Sequence, residues 1–115
     1  MDMAIAALTG AAGMELNPAG QRAGADQGDP QVAVKEVSND GAISVGVWEC
    51  APGGWPVVDR GDTEVATIIS GTGIVTDADG TEHPLAAGSV ITLAKGWSGR
   101  WDITETLRKV YVIVK

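Results

Sequence analysis

Few side chains in this sequence could carry chemistry, and their surroundings say which chemistry each could do. Glu64 opens a strongly β-branched run, Glu64–Ser70, so a carboxylate stands at the head of a strand. If Glu64 faces the interior, alternation turns Ala66 and Ile68 inward with it. A carboxylate beside an apolar interior has a raised pKa unless a cation such as Lys109 or Arg60 pairs with it. Glu64 is therefore the candidate acid or base, and a salt bridge closing one end of the core is the alternative. Cys50 is the single cysteine, which excludes an intrachain disulfide. As a nucleophile it would need a base, and the chain holds only His83; the plainer reading is a small buried hydrophobe in a strand. His83 adjoins Glu82, but neighbouring strand residues face opposite sides, so the two cannot share a metal from one strand.

Two further motifs reduce to turns. Asp77-Ala78-Asp79-Gly80 has a calcium-loop look, yet the glutamate such a loop requires would fall at Ala86, so it reads as a hairpin turn. Gly71-Thr72-Gly73 is too short for a phosphate-binding fingerprint, and no helix follows it. The remaining candidates are Glu49, Lys109 and Tyr111 with Trp48, Trp55, Trp97 and Trp101. Four tryptophans beside no phenylalanine give either a pocket wall or caps at the two ends of a core.

Short strands position these residues. The pattern predicts strands over Gln31–Val37, Ala42–Glu49, Trp55–Val58, Glu64–Ser70, Thr72–Thr76, Thr81–Leu85, Ser89–Leu93, Arg100–Ile103 and Lys109–Lys115. Turn signals at Asn39-Asp40-Gly41, Pro52-Gly53-Gly54, Gly71, Asp79-Gly80 and Ala87-Gly88 separate them. Residues 1–31 are rich in Ala, Gly and Asp and read as an arm, extended or exchanged with a neighbour, with one short strand or helical turn. Residues 32–115 form the single globular unit. Frequent turns without helical periodicity make the chain all-β, a sandwich or barrel, and exclude a doubly wound α/β fold.

Composition narrows the partners. The 115 residues hold 8 Lys plus Arg against 15 Asp plus Glu, a net charge of −7. That balance disfavours nucleic acid, whose phosphates must be neutralised, and offers an anionic membrane no basic face. No basic residue precedes Arg22 and no stretch approaches the ~20 apolar residues of a membrane helix, so a cytoplasmic protein is expected.

The glycine spacing resembles a known family. Glu64 is followed by Gly71 after six intervening residues, and Gly80 by Gly88 eight residues on, with Ala86 where the family prefers proline. These blocks resemble the two motifs of the cupin superfamily and imply a cupin-type double-stranded jelly-roll β-barrel. Gly46-Val47-Trp48-Glu49-Cys50, Gly96-Trp97-Ser98-Gly99-Arg100-Trp101 and Arg108-Lys109-Val110-Tyr111 are similar to the small single-domain cupins grouped with the cupin domain of (S)-ureidoglycine aminohydrolase.

The resemblance implies a metal site of three histidines and a glutamate. The histidine positions align here with Val57 and Asp59, or Val58 and Arg60, and with Ile91; only Glu64 is kept. Carboxylates without imidazole hold a transition metal weakly, so no cofactor is expected. A weak divalent metal would have to use Asp59, Glu64 and His83. The expected ligand pocket is Trp48, Glu49, Asp59, Glu64, Ile91, Trp97, Trp101, Lys109 and Tyr111. It would bind a small polar metabolite without turnover. The alternative is an enzyme of ureido compounds with Glu64 as acid or base, and a purely structural or regulatory role is a third reading. The resemblance also implies a homodimer, with the arm exchanged.

Overall fold

A computed structural model describes residues 4–115. The described strands are β1 (Asn17–Gln21), β2 (Gln27–Gly28), β3 (Gln31–Asn39), β4 (Ile43–Cys50), β5 (Gly53–Val57), β6 (Thr63–Asp77), β7 (Glu82–Leu85), β8 (Val90–Leu93) and β9 (Gly99–Val114). The only helical element among them is a 3-10 turn at Ala11–Gly13. The chain is all-β, as its turn spacing predicts, and its sheet curls into a jelly-roll half-barrel. No helix among the described residues is long and apolar enough to cross a membrane.

The two longest strands, β6 and β9, pair antiparallel along nearly their whole length. Their two halves belong to two facing layers. The C-terminal half of β9 pairs with β4, which continues to β3 and β1, while the start of β6 carries β8. The N-terminal half of β9 pairs with β5, which carries β2, while the end of β6 carries β7. Between the layers lies the core of Cys50, Trp55, Ile68, Val75, Leu85, Leu93, Trp101, Ile103 and Leu107.

Gly71 departs from its expected role. It does not end a strand; β6 runs through it and turns the corner between the layers. The register against β9 shifts around Ser70 and Thr72. A bulge of this kind adds a residue and bends the strand. The inward positions accordingly change from Glu64, Ala66 and Ile68 before the bend to Gly73 and Val75 after it. Gly71 has φ +82°, and a Cβ there would run into the Thr106 carbonyl and Leu107. The expected break between Ile103 and Lys109 is likewise absent, because β9 pairs through it with the bent β6.

The arm contributes ladder. In this chain β1 lies against its own β3, and β2 against its own β5. Arg100 grips Asp26 of the arm through two hydrogen bonds of 2.8 and 2.7 Å, and Arg108 donates to the carbonyls of Ala11 and Met14.

Candidate functional site

A cavity of about 330 Å³ opens between the layers, walled by β4, β5, β6 and β9. Alternation puts Glu64 on its floor, on the inward face with Ala66 and Ile68. On β9 the same rule turns Trp101, Lys109 and Tyr111 inward. Gly46 of β4 makes room for Tyr111: a Cβ at Gly46 would meet the phenol oxygen.

Charge is concentrated on the floor. The Lys109 ammonium stands 2.7 Å from Glu64 Oε2, and both side chains are almost completely buried. Arg60 donates to Glu64 Oε1 at 2.9 Å and also reaches Asp62 Oδ1 at 3.1 Å. Oε2 has Lys109 as its ion-pair partner but receives no hydrogen bond of good angle among the described residues. Burial pushes the Lys109 ammonium below the usual lysine range, against the opposing pull of Glu64. Burial also pushes the Tyr111 phenol up, with Glu36 and Glu64 adding to the effect.

Aromatic rings form the wall above this cluster. Trp55 and Trp101 stack with centroids 6.1 Å apart, and Trp48 meets both at a tilt. The Lys109 ammonium lies 4.3 Å from the Trp48 ring centroid and 4.6 Å from that of Trp101. This cation–π contact compensates part of its lost hydration. Arg22 of the arm lies 5.2 Å over Trp55 at the cavity edge.

A second cavity of about 330 Å³ is lined by Val75, Asp77, His83, Ile91, Leu93 and Trp97, among others. There Trp97 donates to Asp77 Oδ1 at 2.8 Å, and His83 Nε2 lies 2.7 Å from Asp77 Oδ2. These two bonds, the Trp97 indole first, hold the Asp77 carboxyl below its usual pKa.

Known proteins share this architecture. The family model of the EutQ-like cupin domain matches residues 37–111. The chain belongs to this cupin family. Among solved structures, the cupin is similar to the EutQ protein of Clostridium difficile, at 19% identity and TM-score 0.65, over 74% of this chain and 68% of that one. A putative ethanolamine utilization protein Q from Salmonella typhimurium gives 19% identity and TM-score 0.68, over 83% and 76%. A protein of unknown function from Pseudomonas syringae pv. tomato gives 21% identity and TM-score 0.80, over 88% of this chain and 45% of that one. At these identities the likeness is one of fold. No match was found among curated proteins.

The cupin brings together Trp48, Glu64, Trp101, Lys109 and Tyr111 of the expected pocket residues. It places the other four elsewhere. Glu49 follows Trp48 on the strand and therefore faces the opposite side, where it pairs with Arg108 at 3.2 Å. Asp59 sits in an exposed turn at φ 49°, its backbone N–H donating to Ser98 Oγ. Ile91 and Trp97 line the second cavity with His83. Six lining residues lie outside the expected set: the aliphatic Val34, Val57 and Ile113, and three that bring an aromatic ring or a charge. Trp55 and Arg60 come from the segment around β5, and Arg22 comes from the arm. No local pattern in the sequence points to Arg22, because its place follows from the arm folding back onto β3.

The residues at the family's metal positions do not assemble a metal site. Val57 offers no donor, Ile91 lines the other cavity, and both Glu64 oxygens face cations. Among the described residues no group of three His, Cys, Asp or Glu side chains converges. Asp59, Glu64 and His83 are thus separate. Cys50 is fully buried in the core, and burial raises its thiol pKa to about 11.

Proposed function

We propose that this cupin binds a small polar metabolite in the cavity above Glu64, without the histidine-rich metal site that the superfamily resemblance implies. One observation carries the reading: the buried Glu64–Lys109 pair, joined by the half-buried Arg60, opens onto a tryptophan-walled cavity. Burying each ion costs several kcal/mol, and apolar residues of similar volume would commonly hold a core as well. Buried charge retained at the floor of an apolar cavity is the arrangement of a recognition site, where a few polar groups fix the ligand's orientation.

The enzymatic reading, turnover of a ureido compound with Glu64 as acid or base, needs a carboxylate oxygen free to exchange a proton with substrate. Both oxygens face cations instead, which favours binding. We also propose that the protein works as a homodimer; a sedimentation mass of one chain would remove that part.

The tryptophans report ligand entry directly. Titration with a panel of small anionic, neutral and cationic metabolites should give saturable changes in indole emission for some members. A flat response across the panel would overturn the binding reading. Turnover of a ureido compound that disappears in Glu64→Gln would replace it with the enzymatic one.

A further inference from the structure

The charges around the cavity do not balance. Arg60 lies between Asp62 and Glu64, and Lys109 faces Glu64, so two cations meet two carboxylates and this cluster is neutral. One lining cation is left over. Arg22 follows β1, and no carboxylate among the described residues forms an ion pair with it. Its NH1 donates to the neighbouring Ala23 carbonyl at 3.0 Å, and its guanidinium rests on Trp55. In a chain of net charge −7, acidic partners are abundant, and this arginine at a cavity edge has none among the described residues.

Its position is fixed from both sides. The Arg22 N–H donates to the Pro30 carbonyl at 2.9 Å, and its own carbonyl accepts from the Ala25 N–H at 3.2 Å. The Asp26–Arg100 fork ties the same loop to β9. The charged head is therefore delivered to the cavity by ordered backbone. A guanidinium presents five N–H donors in a planar fork that matches a carboxylate, and this one makes a single donor bond among the described residues.

We propose that Arg22 determines the specificity of this cavity and that the ligand it selects carries a carboxylate, with the ligand's body lying against the tryptophan wall. This rests on the reading that the cavity binds a small molecule, and it deepens that reading by naming the ligand class. Lys109 and Arg60 are held by Glu64, so their part is to hold the floor. A cavity of about 330 Å³ sits at the small end of ligand pockets, which suits a carboxylate on a compact planar or aliphatic body.

Matched probes of one shape and different charge test this on the full chain. Benzoate, benzamide and benzamidine form one series, and propionate and propionamide a second. Calorimetry and indole emission should show the carboxylates binding about tenfold or more tighter than the amides, as charge-assisted hydrogen bonds to arginine imply. Arg22→Gln should abolish that preference by weakening the carboxylates far more than the amides, and Arg22→Lys should restore part of it. An amide or amidine that binds as tightly as its carboxylate overturns the proposal and leaves the binding reading standing. So does a carboxylate preference that survives Arg22→Gln; its loss in Lys109→Gln would then move the carboxylate to Lys109. If no probe of either series binds, and the wider metabolite panel is also flat, the binding reading falls and this proposal falls with it.

Discussion

Lys109 is in ladder register with Ile68, yet its ammonium reaches along β6 to stand 2.7 Å from Oε2 of Glu64. The pair is asymmetric. Glu64 keeps Arg60 if Lys109 is removed, whereas Lys109 keeps no carboxylate if Glu64 is removed. Glu64→Gln should therefore destabilise the fold by about 3 kcal/mol, the lower end of the range for orphaning one buried ion. Lys109→Met should cost clearly less. Urea denaturation of the two variants checks the order, and equal losses would count against it.

The same lysine makes stability depend on alkaline pH. Its folded pKa lies below the unfolded value, so between the two the unfolded chain binds more protons. Stability from this group rises as pH climbs through the folded pKa towards the usual lysine value. In denaturation midpoints compared between pH 8 and 10, Lys109→Met should lack that rising component. A variant with an unchanged pH profile would show that the ammonium is not desolvated.

Cys50 acts in the opposite sense. Its thiol pKa is raised to about 11 from 9.0, so the folded state holds its proton where the unfolded state has lost it. The stability it contributes is present below pH 9 and is lost between pH 9 and 11. At pH 8 the native thiolate fraction is on the order of 0.1%. A disulfide reagent should label Cys50 at the rate of unfolding; rapid labelling of native protein would contradict its burial.

The arm should loosen when its fork is cut. Asp26→Ala removes both hydrogen bonds from Arg100, and Arg100 keeps only Asp102. Hydrogen exchange at residues 22–28 should accelerate while the long strands stay protected. Arg100 holds the Asp26 carboxyl below the usual range, so acid should produce the same release only once pH falls through that depressed value. Unchanged exchange in Asp26→Ala would show that the arm is held by its ladder bonds alone.

Gly71→Ala should lower stability by about 3 kcal/mol, the upper end for a strained backbone position. Both the left-handed φ of +82° and the closeness of Thr106 oppose a methyl group there. Gly80→Ala has a positive φ but open space around it, so it should cost less. Thermal midpoints of the two variants separate backbone strain from steric contact.

The order of these elements was legible in the sequence because strand alternation and turn chemistry are local. Pairs such as Glu64 and Ile68, or Lys109 and Tyr111, share a face by counting residues. Counting also separates Trp48 from Glu49, although a list of polar candidates groups them. What counting cannot reach is a bulge. The bend at Gly71 changes which residues of β6 face inward, and it arises from pairing with β9 more than thirty residues away.

The sequence by itself determined the all-β class, the turns at Asn39-Asp40-Gly41, Asp79-Gly80 and Ala87-Gly88, the cupin motif spacing and the absence of imidazole at the family's metal positions, since each depends on residue type or near neighbours. Only the tertiary structure decided which charges meet. Glu64 lies between Arg60 and Lys109, His83 pairs with Asp77 at a different cavity, and Arg22 arrives at the tryptophan wall from the arm. Those meetings depend on which strands pair and on how the sheet curls, and the energies that fix both are summed over contacts distant in the chain.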